Sequence, residues 1–115
     1  MGAWGTEPWD NDAATDWFTS FFRGIDADSR ISAALEDENA DVTRAAAFLL
    51  SVLGRPNTWP DEPLTLGNHL DRAISRMESL AVDKDYLAQY TDREHLLDSI
   101  ANLVSDLQTR RNEIR

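Results

Sequence analysis

Cysteine is absent from this chain of 115 residues, and that absence excludes disulfide frameworks, thiolate zinc sites, cysteine nucleophiles and iron-sulfur clusters together. Histidine is scarce. His69 and His95 are the 2 present, and neither sits in a His-x-x-x-His or Glu-x-x-His pattern that would seat a metal, so both are read as packing or surface residues. No Gly-x-x-x-x-Gly-Lys-Ser/Thr occurs and no Gly-x-Gly-x-x-Gly follows a strand-like run, which leaves a nucleotide without its phosphate cradle. A Gly-x-Ser-x-Gly nucleophile elbow is missing as well. Apolar runs stay well short of the roughly 20 residues of a membrane span, and the first residues lack the basic and apolar regions of a signal peptide. The expectation is a cytoplasmic protein that is no enzyme, has no catalytic residues, holds no cofactor or metal and keeps off the membrane.

Charge is plentiful and one-sided. Lys plus Arg number 11 against 21 Asp plus Glu, a formal charge of −10. Residues 1–62 carry 12 of the acids and 4 of the bases, so most of the negative field belongs to the first half of the chain. Phosphate backbones are repelled by such a surface and nucleic acid is excluded as a partner, whereas a basic protein is attracted.

Periodicity predicts helices nearly everywhere, and no stretch alternates with period two for long enough to be a strand. Asp10, Asn11 or Asp12 caps a helix to Arg23, with Ala14, Trp17, Phe18, Phe21 and Phe22 along one stripe that needs cover. Gly24 stops it, and Asp26 or Asp28 caps a short second helix with Ile31, Ala34 and Leu35 inward. A third helix runs from Asn39 or Asp41 to Leu53, with Val42, Ala45, Ala46, Leu49, Leu50 and Leu53 as the expected core face and Gly54 as a left-handed stop. Three prolines then fall within the segment from Pro56 to Pro63, which makes residues 55–64 a crossover loop pinned by Trp59. A fourth helix spans Thr65 to Val82 with Leu66, Leu70, Ala73, Ile74, Met77, Leu80 and Ala81 inward. After a turn carrying Tyr86, Leu87 and Tyr90, Thr91 or Asp92 caps a last helix built on Leu96, Leu97, Ile100, Leu103, Val104 and Leu107. Its end collects Arg110, Arg111 and Arg115, where the helix dipole favours cations. The predicted fold is all-α: a single domain over residues 1–115, a bundle of about five helices, with residues 1–10 as an extended arm packed on it.

Aromatic residues cluster toward the start. Trp4 and Trp9 stand among Gly2, Gly5 and Pro8, outside any periodic element, and with Trp17 and Trp59 they are the candidate structural anchors. Asp12 and Asp16 share one helix face beside Asp10 and Asn11. Oxygen ligands so placed suit a hard cation, but the calcium-loop spacing is lacking and a helix N-terminus gathers acids for its own dipole, so capping is the reading.

The run Gly2-Ala3-Trp4-Gly5, followed by Trp9-Asp10-Asn11-Asp12-Ala13-Ala14 and Asp16-Trp17, resembles the N-terminal signature of the uncharacterised bacterial family known as domain of unknown function 4259. Glu7 replaces a glycine of that pattern and Trp9 replaces a phenylalanine, which keeps an aromatic at that position. The resemblance extends loosely past Gly54-Arg55-Pro56 to the last helix. It implies a small helical bacterial protein and implies no activity.

Together these readings favour a small acidic protein-binding module, of the kind an immunity-type or antitoxin-like inhibitor of a basic partner would be. The candidate contact residues are Asp10, Asp12, Asp16, Glu36, Asp37 and Glu38. A self-associating structural or regulatory domain, hence a homo-oligomer, is the alternative. A metal protein or hydrolase built on His69 or His95 is the weaker one.

Overall fold

Side-chain caps set where most helices begin in the computed structural model, which describes Pro8 and residues 11–60 and 62–114. Trp4, Trp9 and Asp10, expected as anchors and contact residue, lie outside the described residues, as does Arg115. Helix α1 covers Asp12–Gly24 and starts at Asn11, whose Oδ1 accepts from the Ala14 amide at 2.8 Å. Helix α2 covers Ala27–Leu35 and α3 covers Ala40–Leu53, with Asn39 accepting from the Asp41 amide at 3.0 Å. Pro63 occupies the first turn of α4 (Pro63–Leu80), where its missing N–H costs nothing and its fixed φ suits the helix. Asp83 caps the single-turn α5 (Lys84–Leu87), and Asp92 caps α6 (Arg93–Asn112) by accepting from the His95 amide at 2.9 Å. Six helices form where about five were expected. The extra one is the turn around Tyr86, closed into a helix because Asp83 satisfies the amides of both Asp85 and Tyr86.

Two turns work differently from the expectation. Gly24 ends α1 without a positive φ; the left-handed residue is Asp26, at φ 54 and ψ 47, and its side chain makes no cap hydrogen bond to α2. Gly54 has φ −78 and is required for space instead, since a Cβ there would collide with the carbonyl oxygen of Leu50.

The centre of the fold is α4 packed on α6, with α3 against both and α2 laid across α3 and α4. Leu35, Leu50, Leu66, Leu70, Met77, Ile100 and Leu107 are fully buried there; each contributes on the order of 2 kcal/mol from burial. Trp59 is 3% exposed and holds the crossover loop against Phe22, with ring centroids 5.1 Å apart. The buried face of α3 is rotated from the expected one. Thr43, Ala46, Ala47, Leu50 and Ser51 point inward, while Val42, Ala45 and Leu49 are exposed and Leu53 is half-buried.

Polar side chains join the helices. Helix α2 has no basic residue in its last turn, and α4 supplies two. Arg72 donates to the Ser32 carbonyl at 3.1 Å and pairs with Glu36 at 3.0 Å, and Arg76 donates to the Asp37 carbonyl at 3.3 Å. Between α3, α5 and α6, Arg44 donates to the Ser99 hydroxyl at 2.8 Å and lies against both Tyr86 and Tyr90. The two phenols in turn donate to Asp41, at 3.0 and 3.1 Å. Burial, helped by the hydrogen bond with Tyr90, pushes the Tyr86 phenol up to about 12.

Candidate interaction surface

Helix α1 turns Phe22 inward, with Phe18 half-buried against the core, and leaves two other rings out. Phe22 packs into the core, but Trp17 is 60% and Phe21 47% exposed, so Trp17 is not the buried anchor expected from its spacing. The packing accounts for it: the main helix partner of α1 among the described residues is α2, and Phe22 is the ring of α1 that meets Trp59. Trp17 and Phe21 instead stack on each other, centroids 5.2 Å apart and planes within 13°. One step of four further on, Ile25 in the α1–α2 turn is also exposed.

Helix α3 contributes the second half of this surface. Val42, Ala45, Leu49 and Val52 follow at steps of three and four, and Phe48 beside them is 63% exposed. A groove of about 220 Å³, lined by Phe22, Ile25, Ala27, Arg30, Ile31 and Leu49, joins the α1 and α3 parts. Arg30 stands at this groove and makes no ion pair among the described residues.

The acids named from the sequence divide into two kinds. Asp12 and Asp16 are exposed on α1. Glu36 and Asp37, by contrast, have intramolecular partners: Glu36 pairs with Arg72, and the Asp37 carboxylate accepts from the Asn39 amide at 2.8 Å. Glu38 lines a concavity of about 240 Å³ with Asp41, Asp83, Asp85 and Tyr86. Sequence reasoning missed this gathering of acids because its members come from α3 and α5, far apart in the chain. Their one sequence signal is the acid at each helix start.

His69, on the inner face of α4, is 5% exposed and hydrogen-bonds Asp28 of α2 through Nε2, with Trp59 set edge-on 6.3 Å away. Its Nδ1 is buried with no hydrogen-bond partner among the described residues, while the Asp28 side chain is 39% exposed, so the pair ties α2 to α4 at the edge of the core. His95 is exposed in the first turn of α6. Among the described residues, no three His, Asp or Glu side chains are arranged to hold a metal ion, and no helix is long and apolar enough to cross a membrane. No family model matches the chain, and neither the curated proteins nor the solved structures contain a match to it.

Proposed function

We propose that the protein is a protein-binding module that docks through the apolar face of α1, the α1–α2 turn and α3. The observation that carries this is the exposure of Trp17, Phe21 and Ile25 at α1 and of Val42, Phe48, Leu49 and Val52 on α3, at 37 to 63% of each residue's surface, with Ile25 and Leu49 lining one groove. Large apolar side chains so exposed often mark a functional surface. These residues also lie in a chain of formal charge −10, where apolar residues are least expected to collect in water.

A photo-crosslinking amino acid at position 48, installed in the protein in its own host, tests the reading. A discrete crosslinked species is expected from position 48 and none from position 102, an exposed site on α6. Identical patterns from the two positions would overturn the assignment.

The narrower role of an immunity-type or antitoxin-like inhibitor draws support from the acid-lined concavity of Glu38, Asp41, Asp83 and Asp85, whose volume of about 240 Å³ suits an Arg or Lys side chain of a basic partner. Charge of this kind raises the rate of encounter more than the affinity. Replacing Glu38 and Asp85 by Gln and Asn should slow association with such a partner and reduce its salt dependence, with little change in the unfolding midpoint.

A further inference from the structure

We draw no further inference here: the strongest candidate, the apolar groove between the α1–α2 turn and α3 that Ile25 and Leu49 line, belongs to the face already described, and nothing in the structure shows what covers it.

Discussion

Helices α3 and α4 bury their apolar residues by different rules. On α4, Leu66, Leu70, Ala73, Met77 and Leu80 form a single stripe and all are buried, with polar residues on most of the remaining surface. On α3, apolar residues surround the helix, and the core takes Ala46, Ala47 and Leu50 together with the polar Thr43 and Ser51, leaving Val42, Phe48, Leu49 and Val52 to solvent. A helix with one apolar stripe has one orientation that removes it from water. A helix that is apolar on several sides has several, and its neighbours choose among them. Here the choice follows hydrogen bonds as well as area: the Thr43 hydroxyl donates to the Ala34 carbonyl at 3.0 Å and Ser51 to the Phe48 carbonyl at 2.6 Å, so both polar groups enter the core satisfied. The apolar remainder stays exposed to solvent.

The comparison breaks most visibly at Leu50 and Leu70, both fully buried. Alanine at either should cost about 3 kcal/mol, a fall on the order of 10 °C in melting temperature. Equal losses from α3 and α4 would show that the rotated face of α3 is as firmly packed as the stripe of α4; a small loss at Leu50 alone would mean that α3 is held otherwise.

High pH should loosen the link between α3 and α5. The Tyr86 phenol, raised to about 12 from 10.0, keeps its proton in the folded chain over a range where the unfolded chain releases it. Its contribution is therefore fully present below pH 10 and is lost as pH rises toward 12, on the order of 2 kcal/mol in all. Urea unfolding at pH 8 and at pH 11.5 should show the fall, and Tyr86→Phe should flatten it.

Thr43→Val keeps shape and removes the hydroxyl that serves Ala34 and receives Arg76. The expected loss is about 1 kcal/mol in denaturant unfolding, and no loss would mean that the polar residue in the core face of α3 contributes nothing to its orientation. Smallest is Phe48→Ala, two residues from Leu50 and 63% exposed. Monomer stability should change by less than about 0.5 kcal/mol, while association through the face weakens. A large loss of stability in dilute solution would place Phe48 in the core after all.

Much of this fold was legible in the chain. The α4 and α6 stripes have clear 3.6-residue periods, the starts at Asn11, Asn39 and Asp92 are local cap chemistry, Pro56 and Pro60 interrupt any helix between α3 and α4, and Pro63 opens α4. Less of the candidate surface was. Trp17 and Phe22 share one apolar stripe in the sequence, yet one is exposed and the other 3% exposed, because only the line of Phe22 meets Trp59. The pairing of His69 with Asp28, the capping of α2 by Arg72 and Arg76, and the assembly of Glu38, Asp41, Asp83 and Asp85 join residues about 40 positions apart, and no local pattern announces them.

By itself, the sequence determined the helical class, most helix starts and stops, the acidic surface and the identity of the central leucines, since those depend on propensity, period and composition within a turn or two. Only the tertiary structure decided which side of α3 is core and that Phe22 of α1 is buried while Trp17 and Phe21 are exposed. Burial is settled by what packs on a face, and a helix carries no information about its neighbour until the two have met.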